Sequence, residues 1–430
     1  MTKPDRVCCI GIDLGTSGCR GVSIDLQGNV LASASIALPP SRSPHPGWAE
    51  QNPEDWWQST VQVIRQLLAA TPGHATAAIA IDGTSSTLVL SDSAGEPLAP
   101  ALMYNDQRAV EQSKALDGLA PLQSVVRSPS SSLSKLLWLL QHRCTAPSHA
   151  LHQSEWISAR LCKRYDLGDE NNCLKLGYDP VAQCWPQWIE KLGLPPCILP
   201  KVSPPGKLMG EIDPAIARQT GLPGSCRVIT GTTDSTAAAL AAGLERPGDA
   251  VTSLGSTLVC KLLSSRPLFD AEYGIYSHHI FGNWLAGGAS NVGGAVLRRY
   301  FPDDELTSLS RQINPDRSLC LRYYPLPEKG ERFPFNDPAM QPRLTPVPKD
   351  RVRFLQGLLE SIARVERTAY RRLQELGCGY PTRVFTSGGG AQNDVWSTMR
   401  QRMLTCPVLP AKHVQAAYGA ATIALKSLSG

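Results

Sequence analysis

Two aspartates stand in surroundings suited to chemistry, Asp13 and Asp234. Asp13 lies within Gly11-Ile12-Asp13-Leu14-Gly15-Thr16-Ser17-Gly18-Cys19-Arg20. Gly15 and Gly18 permit a tight turn and leave no side chain between a phosphate and the backbone N–H groups. Thr16 and Ser17 add hydroxyl donors, and Asp13 sets a carboxylate where Mg²⁺ or its water shell could be held. Asp234 sits in Thr230-Gly231-Thr232-Thr233-Asp234-Ser235, ahead of a small-residue helix over Thr236–Gly243. An aspartate at a helix start is often only an N-cap. Beside a phosphate site it can instead act as general base, accepting the proton of a substrate hydroxyl whose oxygen attacks a γ-phosphorus.

Two further glycine segments could serve the same chemistry. Gly255-Ser256-Thr257 reads as a second phosphate-binding hairpin, with an ordinary glycine turn as the plainer alternative. Gly388-Gly389-Gly390, between a strand at Arg383–Ser387 and a helix at Ala391–Leu404, leaves room for a purine or ribose to lie on backbone. Asn393 is in reach to hydrogen-bond it. A glycine-rich helix start used only for tight packing is the alternative. The pattern is neither the spaced glycines of a dinucleotide fold nor a Walker lysine loop.

The elements that must position these residues are legible in outline. Val7–Ile12 reads as a buried strand and Arg20–Ile24 as its returning partner, followed by a turn at Leu26–Asn29 and a third strand. Asp249–Leu263 repeats the hairpin, about 240 residues further on, which suggests a duplicated nucleotide-binding core with a cleft between the copies. Asn52 caps a helix with Pro53 in its first turn, and Trp57, Val61, Ile64 and Leu68 form its apolar face. Ala77–Asp82 is a strand running into Gly83-Thr84-Ser85-Ser86. Prolines at 196, 200, 204 and 205 mark a loop, and the boundary between two domains, 1–225 and 226–430, is placed near residue 225. Val352–Leu376 is a long helix with Phe354, Leu358, Ile362 and Val365 on one side, and Tyr324–Lys349 a packed irregular crossover. Alternation of strands with helices makes the fold class α/β.

Composition removes several function classes. The 430 residues are 42% hydrophobic and 18% charged, as in a globular protein of about two domains. Net charge is +5, but Lys and Arg are scattered with no aromatic interleaving, so nucleic acid is not an expected partner. No apolar run approaches the ~20 residues of a membrane span. The N-terminal Met1–Arg6 lacks a signal peptide's apolar region, so a cytoplasmic or stroma-like compartment is expected. Thirteen cysteines, an odd number without a CxxC pair, read as buried reduced thiols.

Taken together, these segments resemble the FGGY carbohydrate kinases of the actin-like ATPase superfamily. Asp13, Gly15, Thr16 and Arg20 match the family's Asp-x-Gly-Thr-x-x-x-Arg, and Gly231, Thr232 and Asp234 its Gly-Thr-x-Asp. Ser387–Asn393 matches the adenosine motif. Gly47–Pro53 with Trp56-Trp57, Tyr104-Asn105-Asp106-x-Arg108, Ser134–Trp138 and Leu176–Asp179 extend the likeness over nearly the whole chain. The resemblance implies two actin-like (ribonuclease H-like) domains with a central cleft, and ATP with Mg²⁺. It also implies phosphorylation of a terminal sugar hydroxyl, with Asp234 as base and Asp13 near both metal and sugar. Arg20, Gly15, Thr16, Ser17, Gly255, Ser256, Thr257, Gly388, Gly389, Gly390 and Asn393 are then the nucleotide-side candidates.

Two departures stand out. The family is commonly longer, so a trimmed C-terminus after the helix Ala416–Lys426 bears on oligomerisation or rim contacts; a monomer or homodimer is expected. Xylulokinases usually carry Gln-Met-His after the fourth strand and glycerol kinases an Arg-Glu pair. This chain has Asp82-Gly83-Thr84-Ser85-Ser86-Thr87, closer to the Asp-x-Thr-Ser of ribulose-type kinases. A site built for particular hydroxyls rejects epimers by leaving buried groups unpaired, which favours a ribulose over xylulose, and the overall resemblance to a plant and cyanobacterial pentulose-kinase subgroup implies the D isomer. Ser85, Ser86, Asp106 and Asp234 are the candidate sugar contacts, with a turn role as the alternative for Asp106. His278-His279 lacks a third metal ligand, and Trp56, Trp57 and Trp138 read as core. A nucleotide switch or a silent sugar and nucleotide sensor remains the rival on the same fold.

Overall fold

The computed structural model describes residues 6–142 and 146–429. Met1–Asp5, most of the segment read for a leader, and Cys144 lie outside the described residues. The chain divides into two units. One comprises Met1–Ala241 with His279–Phe281 and Gln415–Gly430, the other Ala242–His278 with Gly282–Val414. The division therefore falls at Ala241/Ala242, not near 225.

The first unit is built on the strands β1 (Arg6–Leu14), β2 (Gly18–Asp25), β3 (Val30–Ala37), β4 (His74–Gly83) and β5 (Arg227–Thr233). Their order in the sheet is β5-β4-β1-β2-β3. β1, β2 and β3 form an antiparallel meander, while β4 and β5 run parallel to β1. Because β5 is hydrogen-bonded to β4, the residues just after 225 belong with the first sheet. The last helix, Ala416–Lys426, packs back onto β1 as well. An added Cβ on Gly11 would lie 2.1 Å from the Ala417 carbonyl oxygen, so only glycine lets strand and helix approach this closely.

The helix Pro53–Ala70 is capped by Asn52, whose side chain accepts from the Glu54 N–H at 3.2 Å. It buries Trp56, Trp57, Val61, Ile64 and Leu67; Leu68, expected on this face, is only half-buried, because Leu67 is better aimed at the sheet. Fully burying two Trp side chains is worth several kcal/mol by apolar area, at ~25 cal/mol per Å². Within the loop expected at 196–206, Lys201–Ser203 forms a short parallel strand with Leu167–Asp169.

The second unit repeats the plan with β6 (Asp249–Leu254), β7 (Leu258–Ser264), β8 (Asn283–Ser290), β9 (Arg383–Ser387) and β10 (Val408–Pro410). Their order is β8-β7-β6-β9-β10, again a meander followed by two parallel strands. The same architecture in both halves agrees with the duplication read from the two hairpins. The helix Arg351–Glu375 buries Phe354, Leu358, Ile362 and Val365. Its Glu366 pairs with Arg400 at 2.7 Å, both fully buried, and the pair reaches Thr252 of β6 and Thr386 of β9. Each charge is therefore neutralised and hydrogen-bonded, the condition under which burial is tolerated.

Cys184, Cys197 and Cys320 are exposed, so the expectation of buried thiols holds only for the other described cysteines; all the described cysteines are free. No described helix is long and apolar enough to cross a membrane.

Candidate functional site

At the C-terminal ends of β1, β4 and β5 a row of polar residues crosses the first sheet. Arg20, Asp13, Asp82 and Thr232 are successive aligned partners on β2, β1, β4 and β5. Residues aligned on neighbouring strands project from the same face, so the side chains of this row are held together. The carboxyl ends of parallel strands are also where open α/β sheets bind ligands. Asp234 opens the helix Asp234–Ala242 directly after β5, and its Oδ1 accepts from the Ser235 N–H at 2.6 Å.

Asp82 opens the sugar-side motif read in the sequence but is not among the site residues named from it. It is completely buried, and among the described residues neither carboxyl oxygen meets a hydrogen-bond donor. Burial above all, and then the charges of Asp13 and Asp234, push its pKa well above the ordinary carboxylate value. Asp13 is also raised by burial, against the opposing contact with Asp82 and the Arg20 guanidinium, whose Nη1 lies 3.4 Å from Asp13 Oδ2. Two carboxylates can hydrogen-bond only if one carries a proton. A proton or a divalent cation therefore resolves the pair, and an oxygen-only donor set of this kind suits Mg²⁺.

The turn after β1 is fixed by its backbone. Gly15 N–H donates to the Gly18 carbonyl at 3.0 Å, Gln51 Nε2 to the Thr16 carbonyl at 2.8 Å, and Leu38 N–H to the Ser17 carbonyl at 3.0 Å. Neither Gly15 nor Gly18 adopts a left-handed backbone, so the turn does not require them for conformation. Gly15 gives room instead, since a Cβ there would lie 3.2 Å from Arg20 Nη1. Thr16 is half-buried and Ser17 exposed.

The loop Thr84–Thr87 is pinned on several sides. The Thr84 N–H and Oγ1 donate to Gln153 Oε1 at 3.0 and 2.9 Å, and the Thr84 and Thr87 hydroxyls meet at 2.6 Å. The Tyr104 N–H donates to Thr87 Oγ1, and the Gln153 N–H to the Thr87 carbonyl. Ser86 holds a φ of 70°, a left-handed backbone that a non-glycine residue adopts at a cost of order 1 kcal/mol. Amid these bonds the Ser85 Oγ is buried without a partner among the described residues, as are Gln153 Nε2 and Asn172 Oδ1.

Asp106, a candidate sugar contact, is elsewhere engaged. It is fully buried, and its carboxylate accepts from the Ala49 N–H at 2.7 Å, the Arg108 N–H at 3.1 Å and the Arg108 guanidinium at 2.8–3.1 Å. Arg108 in turn pairs with Glu50 at 2.8 Å and lies over the Trp48 ring. Every acceptor position faces an internal donor, so the turn role holds and a sugar hydroxyl finds no open oxygen. His279 lies inside a strand, with Nδ1 2.6 Å from Glu170 Oε1. Trp56, Trp57 and Trp138 are buried, as expected.

In the second unit, the two glycine segments leave adjacent parallel strands at the same end. Ser253 of β6 is aligned with Ser387 of β9, so Gly255-Ser256-Thr257 and Gly388-Gly389-Gly390 lie side by side. Gly388 has a φ of 83°, and a Cβ there would sit 2.6 Å from the Leu254 carbonyl oxygen; both facts demand glycine. Gly389 is exposed with open space around it, which leaves bare backbone at the surface. Ser256 Oγ accepts from Arg298 Nη2 at 2.8 Å, and the Gly255 and Ser256 carbonyls accept from Gly294 and Ala295.

The expected helix at Ala391 begins instead at Asp394, after a single 3-10 turn at Gly389–Gln392. Asn393 is its cap: Oδ1 accepts from the Trp396 N–H at 2.9 Å and Nδ2 donates to Ser310 Oγ at 2.8 Å. Its amide thus already makes two bonds within the fold, beside the contact with a purine or ribose expected of it.

Comparison with known proteins bears on what these two sites do. The chain matches the model of the FGGY family of carbohydrate kinases, N-terminal domain, over residues 8–241 and that of the C-terminal domain over residues 250–428. It is 26% identical to a xylulose kinase of Escherichia coli (strain K12) over 415 residues, 91% of this chain and 83% of that one. A xylulose kinase of Klebsiella pneumoniae is 28% identical over 287 residues, 64% of this chain and 59% of that protein's length. The solved xylulose kinase of Rhodospirillum rubrum superposes with a TM-score of 0.84 at 25% identity, covering 97% of this chain and 89% of that one.

Proposed function

The chain belongs to the FGGY family of carbohydrate kinases and is a sugar kinase, a phosphotransferase with the family's two-domain, actin-like fold, and from that premise we propose that it phosphorylates a ketopentose. The acceptor is the terminal hydroxyl, ATP is the donor, and D-ribulose is the preferred sugar, giving D-ribulose 5-phosphate. One observation carries the choice of sugar. The loop after β4 bears only hydroxyls, Thr84 to Thr87, and in this pinned loop Ser85 alone has a buried side-chain oxygen without a partner. An unsatisfied buried hydroxyl costs about 1–3 kcal/mol, which a correctly placed sugar hydroxyl removes and a wrong epimer does not.

In this reading Asp234 accepts the proton of the attacking hydroxyl as its oxygen bonds to the γ-phosphorus. Arg20, Thr16 and Ser17 are the phosphate-side candidates of the first unit, and Gly255, Ser256 and Thr257 those of the second. The backbone at Gly388, Gly389 and Gly390 serves the adenosine. Asp13, with Asp82 beside it, would hold Mg²⁺, which when bound offsets the charge of the transferring phosphoryl group. We place the reaction in a cytoplasmic or stroma-like compartment, run by a monomer or homodimer.

A second reading, D-xylulose as the sugar, is favoured by the names of the relatives above. The reaction type is tested by incubating purified protein with ATP, Mg²⁺ and D-ribulose and following the product by ³¹P NMR coupled to ¹H. A monoester signal coupled to the C5 protons supports the proposal. ATP consumption without a sugar phosphate, or binding without turnover, supports the switch or sensor instead.

A further inference from the structure

Lys135 is a fully buried lysine that the chemistry above leaves unused. It lies on the helix Ser132–His142, and its ammonium donates to two backbone carbonyls, Ser86 at 2.5 Å and Met103 at 2.9 Å. The first belongs to the residue with the left-handed backbone in the hydroxyl loop. The second directly precedes Tyr104, whose N–H donates to Thr87 Oγ1 in that same loop. One ammonium therefore ties both segments that frame Ser85.

A lysine is an uncommon choice for this task. Lysine is almost never fully buried unless paired, and here the hydrogen bonds of Nζ run to two neutral carbonyls. Burial lowers its pKa to about 7; Asp106 opposes that shift, and Lys175 and Arg108 add to it. An apolar residue of similar length would fill the space without that cost. What it could not do is donate to two carbonyls at once, one of them on a strained residue.

We infer that Lys135 is a positioning residue for the sugar-binding loop, holding Ser86 in its left-handed backbone so that Ser85 Oγ faces the sugar. The inference rests on the ketopentose kinase reading for its sugar but not for its geometry. Without the ammonium, Ser86 relaxes, the Thr84–Thr87 loop loosens and sugar affinity falls. Nucleotide affinity does not change, because Lys135 touches none of the nucleotide-side candidates.

The test uses the full-length protein as Lys135→Met and Lys135→Ala, with two readouts. Hydrogen exchange followed by mass spectrometry needs no substrate: faster exchange over residues 84–90 in Lys135→Met, with the rest of the chain unchanged, is expected. Steady-state kinetics should show KM for the pentulose raised ~10-fold or more while KM for ATP stays within 2-fold. Methylammonium chloride should restore pentulose KM in Lys135→Ala, and sodium chloride at equal ionic strength should not. Unchanged exchange over residues 84–90 in a folded Lys135→Met overturns the inference. Faster exchange with an unchanged pentulose KM overturns the link to sugar affinity and faults the assignment of the loop to the sugar. A parallel rise in both KM values, or exchange raised throughout, marks Lys135 as a structural residue only and also overturns it. A wild-type protein that turns over no pentulose faults the functional reading, while the exchange measurement still decides the geometry.

Discussion

Asp13 and Asp82 are aligned partners on adjacent parallel strands, and Asp82 brings to this neighbour two buried oxygens that no donor among the described residues satisfies. A fold gains no stability from such a pair at neutral pH. Its position at the carboxyl ends of three parallel strands, next to Asp234, fits the phosphoryl-transfer site proposed above better than it fits a packing role.

The pair makes stability depend on pH in a defined direction. Asp82 has a folded pKa above its unfolded value of about 3.9, so the folded state holds the proton more tightly. Its contribution is fully present below about pH 4 and is lost as pH rises through the folded pKa. Asp82→Asn should thus be more stable than wild type at pH 7.5, by roughly 1–2 kcal/mol in urea unfolding. The difference should shrink toward pH 4, and turnover should fall at least ~10-fold. Equal stability at both pH values would contradict the account of this pair.

Asp234→Asn removes a base and keeps the shape. Loss of a general base typically costs ~10²–10⁴ in turnover. We expect kcat to fall within that range with ATP affinity, measured by calorimetry, unchanged. Near-normal turnover would remove Asp234 from the chemistry.

Ser85→Ala deletes the unpartnered hydroxyl but none of the bonds that hold its loop. KM for the pentulose should rise ~10-fold, as expected for one hydrogen bond of about 1.4 kcal/mol, with KM for ATP unaffected. An unchanged pentulose KM would mean that the sugar does not meet this oxygen.

Lys135 titrates in an opposite sense to Asp82. Its folded pKa of about 7 lies below the unfolded value of about 10.4, so between these values the unfolded chain binds more protons and stability rises with pH. Asp106, Arg108 and Lys175 are the charged groups that act on it, and all three remain in Lys135→Met. Urea unfolding at pH 7, 8.5 and 10 should show a steeper rise for wild type than for the variant. Parallel curves would place Lys135 outside the titration.

Local signals made much of this molecule readable in advance. Asn52-Pro53 announces a helix start, the glycine hairpins announce the β1–β2 and β6–β7 turns, and Asp234 falls at the junction of strand and helix as its neighbours imply. What escaped depends on contacts distant in sequence. Asp82 stands in a motif legible in the sequence, but its link to Asp13, 69 positions earlier, comes from parallel pairing, and no local pattern encodes that register. Lys135 looks like an ordinary helix residue until its helix is packed beneath a loop 49 residues away. Asp106 and Asn393 show the other direction: both have side chains suited to ligands, and both are engaged by the fold, through local bonds that cap a turn and a helix and through distant bonds with Ala49 and Ser310.

The most direct test of the central claim is kcat/KM, from ADP release with ATP and Mg²⁺, across D-ribulose, D-xylulose, L-ribulose, L-xylulose, ribitol and glycerol. We expect D-ribulose to lead, with D-xylulose at least ~10-fold behind, the discrimination that one unpaired buried hydroxyl provides. A lead for D-xylulose would keep the kinase and its Asp234 base and contradict the reading of residues 82–87. No turnover with any of the six would contradict the ketopentose kinase itself.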